Sequence, residues 1–416
     1  MQLLKARATP GASLPMGILL LVLPIIAVGQ FRGIALAATI GFILAITGYW
    51  RAHHRLPLPP LGRTLALALL PLLWCLVSAT WSIEPGRAIS TALTVGGFVL
   101  LGAMTAQAVA EEPPERINRM LRLLAWGLGI GIVLAFADHV TGNALRAAMR
   151  GLREAPPTLY YGLKPAVSTI ALLLPLACSL RQMPRAVRIG LALAGLLTAL
   201  VLHAEAAKIA VVLGLLVMAG AIWLGPWLAR GIGLALAAIF ISAPLLFGAI
   251  LPQLPLERLP PTAAHRVLIW DFVLTRIAER PVLGWGGEAS RTIPGGRDHF
   301  DTATLDRFGL TSDFSRAWFG QASRLPLHPH NAPLQVWLEL GGVGAVLAAL
   351  LIARLGWLAA ASGPAAAGTL AAAATVGMLS YGIWQEWWIG LLLVLVVTFT
   401  GANRVAAVPK DAVSKD

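Results

Sequence analysis

The sequence predicts an all-α protein that crosses a membrane many times, and three observations predict it. Only 12% of its 416 residues are Asp, Glu, Lys or Arg, where a soluble globular domain carries about a quarter. Hydrophobic residues make up 57% and the mean hydropathy is +0.76. The apolar residues also gather into runs of roughly 15 to 23, the length at which a helix crosses about 30 Å of hydrocarbon. An ordinary cytosolic enzyme is excluded. The net charge of +13 fits cytoplasmic loops and lipid headgroup contacts, and nothing resembles a nucleic-acid module. Cys75 and Cys178 lie inside apolar runs, so neither a disulfide framework nor a Cys-ligated metal is expected.

Twelve candidate spans fall at roughly 14–28, 33–50, 64–83, 88–110, 120–140, 166–180, 187–203, 208–224, 231–251, 332–353, 363–383 and 387–400. The chain divides into spans one to nine (1–251), one long connection (252–331), and spans ten to twelve with a tail (332–416). An even number of spans puts both termini on one side. The first run follows Lys5 and Arg7 and is read as an uncleaved anchor. Arg51, Arg55, Arg63, Arg116, Arg119, Arg181, Arg185 and Arg188 then share that side, which makes it cytoplasmic and the long connection external.

Two outer segments break the pattern. In 141–165, Leu145, Met149 and Leu152 share a helical face beside Arg146, Arg150 and Arg153, which describes a short basic helix on the membrane surface. Interfacial anchoring is one reading and contact with phosphates of a lipid substrate is the other. In 252–331, Val267, Trp270, Leu274 and Ile277 recur at helical spacing until Pro281, which predicts an amphipathic helix. No internal repeat or separate soluble domain is legible.

The residues from His328 to Gly341 enter span ten. Asn331 suits an N-cap and Pro333 the first turn, so His330 belongs at the mouth of a membrane helix, where a neutral imidazole can act as a general base. Asn331, Gln335 and Glu339 are spaced i, i+4, i+8 and draw a polar stripe into the bilayer. That stripe serves either a hydrogen-bond network between helices or a substrate. His328 and His330 lack a third and fourth metal ligand at workable spacing, so neither a metal site nor a cofactor is expected. Arg266, Lys208 and Lys164 are cations that can converge on a pyrophosphate, with an ion pair to Glu205 as the alternative for Lys208. Trp384, Trp387 and Trp388 flank Glu386 and read as an aromatic belt in preference to sugar-stacking platforms.

At this point the chain resembles the O-antigen ligase and polysaccharide polymerase family of bacterial envelope biogenesis. The pattern His-x-His-Asn-x-x-Leu-Gln-x-Trp-Leu-Glu-Leu-Gly over His328 to Gly341 looks like its signature. Arg266 to Trp270, leading through Arg280 and Pro281 to Gly284-Trp-Gly286, is similar to its Arg-containing loop helix and exit. Ser78-Ala-Thr-Trp81-Ser82-Ile-Glu-Pro85 looks like its third-span exit. Two departures stand out: Ala207-Lys208 replaces the usual Ser-Arg, and Tyr160, Tyr161 and Lys164 replace the usual Arg or Asn features before span six. The resemblance implies a multi-pass protein of the bacterial inner membrane that works on the periplasmic face. It implies metal-independent, inverting transfer of a glycan from undecaprenyl pyrophosphate to a sugar hydroxyl of lipid A-core. His330 would be the base, Arg266 the pyrophosphate clamp, and Lys208 an auxiliary cation. Lys164, His328, Asn331, Gln335, Glu339 and Arg153 would contact substrate, Asn331 orienting the imidazole. A polymerase extending a growing glycan is the alternative within the family, and a transporter without chemistry is the alternative outside it.

Overall fold

A computed structural model describes residues 11–407. Lys5 and Arg7, and the tail after residue 407, lie outside the described residues. The architecture is all-α and polytopic. In chain order the helices are α1 Ser13–Gln30, α2 Gly33–His53, α3 Arg63–Ser78, α4 Pro85–Ala110, α5 Pro114–Val140, α6 Ala144–Met149, α7 Lys164–Ser179, α8 Arg185–Val201, α9 Glu205–Leu224 and α10 Pro226–Ile250. They continue with α11 Pro261–Glu279, α12 Thr302–Arg307, α13 Asp313–Phe319, α14 Ala332–Ser362, α15 Pro364–Leu379 and α16 Glu386–Ala406. Each of the twelve expected spans coincides with one of these. Among the described residues nine helices are long and apolar enough to cross a membrane, the one ending in α7 running Pro157–Ser179, while α3, α8 and α15 are shorter.

Apolar side chains alone do not hold helices together in hydrocarbon, so close backbone approach matters. A Cβ at Gly233 of α10 would sit 2.7 Å from Gly356 of α14, and one at Gly368 of α15 would sit 2.4 Å from the Gly214 carbonyl of α9. Gly127 of α5 lies equally close to the α1 backbone. These contacts join α10 to α14, α9 to α15 and α1 to α5, and the large residues outside them, such as Leu93 and Leu245, stay exposed.

The span read as 332–353 is longer and broken. Gly341 adopts φ 65°, ψ −165° inside α14, a conformation open to glycine and costly for other residues. Backbone groups freed in a membrane must find partners, and the segment after α11 supplies them. Trp285 and Gly286 donate their N–H groups to the carbonyls of Leu338 and Glu339 (2.9 and 2.8 Å), and Gly342 donates to Pro281 (2.8 Å). The indole of Trp74 donates to Leu340 (3.0 Å). The exit motif is anchored beside them, because Ser78 Oγ accepts from the Gly287 N–H at 3.0 Å.

The connection 251–331 packs as a cap around its own core. Helix α11 turns Val267 and Leu268 toward Phe300, Leu305, Phe308 and Phe319, and turns Phe272, Val273 and Ile277 toward Leu334 and Leu338 of α14. The expected amphipathic helix is present over a longer range than its apolar spacing marked. Its position between the cap and α14 fixes where Arg266 lies.

Candidate functional site

A cavity of about 560 Å³ opens between the cap and the helix bundle. The chain leading into α14 brings His328 and His330, α11 brings Arg266, the first residue of α7 brings Lys164, and the α15–α16 connection brings Ser380, Tyr381, Trp384 and Gln385. Arg32, Arg291, Glu288 and Glu386 complete its charged wall. Four cations against two carboxylates leave its wall net positive, with Arg291 paired to Glu288.

His330 has φ 57°, a left-handed backbone rare in residues with a side chain. Its Nδ1 lies 2.6 Å from the carbonyl oxygen of Ser380. A carbonyl only accepts, so Nδ1 carries the ring proton and Nε2 keeps its lone pair. Burial, with Arg266 and Lys164 adding to it, holds this imidazole down at about 4 against the Ser380 hydrogen bond. It is therefore neutral at physiological pH. His328 is buried beside it, with ring centroids 4.2 Å apart, and accepts the His330 N–H at 3.2 Å. Gln385 Nε2 lies 3.2 Å from its Nε2, and burial pushes His328 down to about 3. Among the described residues no group of three or more His, Cys, Asp or Glu is placed to hold a metal ion, the two histidines being a pair.

Arg266 is half-buried, and burial lowers its guanidinium below the usual arginine range. Among the described residues no hydrogen bond or ion pair reaches it. Lys164 stands over the Tyr161 ring at 5.0 Å. These two cations and His330 share one cavity, and Lys208 does not join them. Its ammonium is tied to Glu205, three residues earlier, at 2.9 Å, and it is outside the cavity wall.

The polar stripe is divided in use. Asn331 Oδ1 accepts the Leu334 N–H at 3.0 Å and caps α14, so the imidazole is oriented by Ser380 and not by Asn331. Gln335 donates to Glu339 (3.0 Å) and accepts from the Ile383 N–H (3.0 Å). Glu339, fully buried, also accepts from the Glu288 N–H (2.8 Å) and the Trp384 indole. Gln335 and Glu339 thus brace the cap and the α15–α16 connection around α14 from outside the cavity wall, the hydrogen-bond network that was one of the two readings of the stripe.

The 141–153 segment also departs from expectation. Arg146 is fully buried: its Nε reaches Asp138 at 2.5 Å, its backbone N–H reaches the same carboxylate at 2.8 Å, and Nη2 reaches Asn143 at 2.6 Å. It cannot form a basic surface. Arg150 and Arg153 are exposed, with Met149 beside them, outside the cavity wall. The tryptophans differ too. Trp387 and Trp388 are buried in the bundle, Trp387 edge-on to Tyr381 at 4.6 Å, so they are no exposed belt. Trp384 and Trp387 line the cavity.

Arg32, Arg291, Ser380 and Tyr381 lacked a motif of their own. Span eleven was drawn to residue 383, but α15 stops at Leu379, and the freed Ser380 carbonyl becomes the partner of His330. The sequence signal was the polar run Ser380-Tyr-Gly-Ile-Trp-Gln385 within an apolar window.

These features define a polytopic all-α membrane protein with a histidine and several cations gathered beneath one long connection. Comparison with known proteins narrows that class. Residues 170–349 match the family model described as O-antigen ligase. Over 402 residues the chain is 26% identical to a protein of Rickettsia felis named "Putative polysaccharide ligase", covering 87% of this chain and 91% of the other. A protein of the same description from Rickettsia prowazekii is 36% identical over 163 residues, 36% of each chain. One from Rickettsia bellii is 26% identical over 350 residues, 79% of this chain and 78% of the other. The chain is thus similar, over these spans, to proteins of the O-antigen ligase family, whose motifs the sequence resembles. The matched span holds Arg266 and His328 to Gly341, and Lys164 and Ser380 lie outside it.

Proposed function

We propose that the protein transfers a glycan from undecaprenyl pyrophosphate to a sugar hydroxyl of lipid A-core at the periplasmic face of the bacterial inner membrane. The observation that carries this reading is His330, whose Nδ1 is fixed by the Ser380 carbonyl in a cavity shared with Arg266 and Lys164. Direct attack by the acceptor oxygen on the anomeric carbon forms the new glycosidic bond and breaks the bond to the phosphate oxygen, inverting the centre. The hydroxyl proton passes to Nε2 of His330. The electron pair leaves with the diphosphate, which Arg266 and Lys164 stabilise. Side-chain cations neutralise the leaving group, so no metal is required, and activity should survive EDTA. A loss restored by a divalent ion would count against that part.

Lipid A-core is favoured as acceptor because exposed Arg150 and Arg153 and the cavity's Arg32 suit a phosphorylated lipid. The same surplus of cations also suits a second carrier diphosphate, which keeps a polymerase as the rival. Purified protein given labelled carrier-linked glycan and acceptor should form a covalent product, whereas a transporter would form none. In a deletion strain the ligase reading expects carrier-linked polymer beside bare lipid A-core. Core bearing single repeat units would instead identify a polymerase.

A further inference from the structure

A second cavity, of about 670 Å³, lies among α3, α4, α14 and α16. Val95 and Trp384 line both it and the cavity that holds His330. From that shared wall it runs away from the cap to the start of α3, where Arg63 and Thr64 meet Arg354 of α14. The chain fixes this direction, because the other end of α3 is the exit motif held by Gly287 and Arg354 lies beyond the break at Gly341. Between the two ends the lining is hydrocarbon, with Leu65, Val99, Leu351 and Leu392 among its side chains.

The far end carries two cations, and no Asp or Glu is among the described residues that line the groove. Arg354 is half-buried. Helix α14 runs on from it to Ser362, roughly 12 Å of helix, so its charge lies inside the span. Its Nε donates to the Thr64 hydroxyl at 3.0 Å, and among the described residues no carboxylate or other hydrogen bond reaches the guanidinium. Arg63 is exposed at the first position of α3, and among the described residues its side chain has no partner. A neutral hydroxyl leaves the Arg354 charge uncancelled, and an arginine within a span is costly unless an anion or water meets it. Water would have to share the groove with an apolar lining, whereas an anion that carries its own hydrocarbon suits both parts.

We propose that this groove seats a diacyl phospholipid with an anionic headgroup, drawn from the leaflet opposite the cap. Its phosphate meets Arg354 and Arg63, and its chains lie against the apolar walls up to Trp384. A carrier-linked donor has the reverse polarity. With its diphosphate held at Arg266 and Lys164, a tail entering this groove would set alkyl groups against both arginines and leave their charge unmatched. The phospholipid seat stands whether or not the protein transfers a glycan.

Native mass spectrometry of the purified, delipidated full-length protein tests it, with dioleoyl phosphatidylglycerol, dioleoyl phosphatidylcholine and undecaprenyl phosphate as probes. Wild type should bind phosphatidylglycerol about fivefold or more tightly than phosphatidylcholine, which corresponds to about 1 kcal/mol for a cation beside an anionic lipid. Arg354→Gln should remove most of that preference, and Arg354→Lys should keep part of it because a point charge remains. Arg63→Gln changes an exposed residue, so it should fold as wild type does and still lower the preference. Ala348→Phe, which narrows the groove and keeps both arginines, should weaken both phospholipids. Melting in the same detergent identifies any variant that fails to fold, and the comparison then rests on Arg63→Gln. Equal affinity of wild type for the two phospholipids, or an undiminished preference in the arginine variants that fold, would overturn the proposal. Displacement of phosphatidylglycerol by undecaprenyl phosphate would overturn it as well, since the groove would then hold the carrier.

Discussion

Arg146 and Arg266 sit on helices outside the long spans, and each is withdrawn from solvent, but their surroundings are opposite. Arg146 is fully buried against Asp138 and Asn143, with the carboxylate also accepting its own backbone N–H. Arg266 is half-buried on a cavity wall with no carboxylate in reach. A buried cation without its counter-ion is costly, so a matched pair such as Arg146 with Asp138 holds the chain in place. An unmatched one is sustained where an anion visits. The difference marks Arg146 as structural and is what the proposed function needs of Arg266.

Removing either arginine tests that contrast. Arg146→Ala leaves Asp138 buried and unpaired, a loss of about 3–5 kcal/mol, and the purified variant should melt well below wild type. An unchanged melting temperature would break the contrast from the structural side. Arg266→Ala should instead melt like wild type and weaken binding of the carrier-linked donor by roughly tenfold or more. Arg266→Lys should recover part of the affinity, because a point charge replaces a bidentate fork. Equal donor affinity in wild type and Arg266→Ala would end the clamp assignment.

The pH response sharpens the contrast further. Burial holds His330 near 4, so the acid limb of kcat/KM, which reports the free enzyme, should lie near there. A bound diphosphate cancels the repulsion from Arg266 and Lys164, so the limb of kcat should lie at higher pH. Coincident limbs would contradict that coupling. The sign for stability is the same. Between about 6.5 and 4 the unfolded chain binds a proton that the folded chain refuses, so stability should fall as pH drops through that window. The smallest effect is expected from Arg150→Gln with Arg153→Gln, which should reduce transfer to lipid A-core a few-fold and leave donor binding and melting unchanged. A matching fall in donor affinity would place these residues on the other substrate.

Periodicity and local chemistry made much of this legible. The apolar runs marked twelve helices, the α11 stripe marked the cap helix, and Asn331-Ala-Pro333 marked the start of α14. Charge partnership was less legible, because it depends on what lies across space. Arg146 and Arg150 look alike in a helical wheel, and only the return of α6 over Asp138 buries one and exposes the other. The i, i+4, i+8 stripe showed that Asn331, Gln335 and Glu339 share a face, but not that the N-terminal Leu334 amide takes the first and the α15–α16 connection the rest. The break at Gly341 hid within a segment whose average hydropathy still reads as one span. Gly284-Trp-Gly286 is legible as a motif, but its partner across space, that break, is not.

The central claim separates a base from a clamp, and one assay tests it. Donor affinity and single-turnover transfer would be measured for wild type, His330→Ala and Arg266→Ala, with labelled carrier-linked glycan and acceptor. His330→Ala should keep donor affinity within about twofold while transfer slows roughly 10²- to 10⁴-fold, the range expected for losing a general base. Arg266→Ala should lose affinity as well as rate. Near-normal transfer by His330→Ala would remove the imidazole as the base and contradict the account.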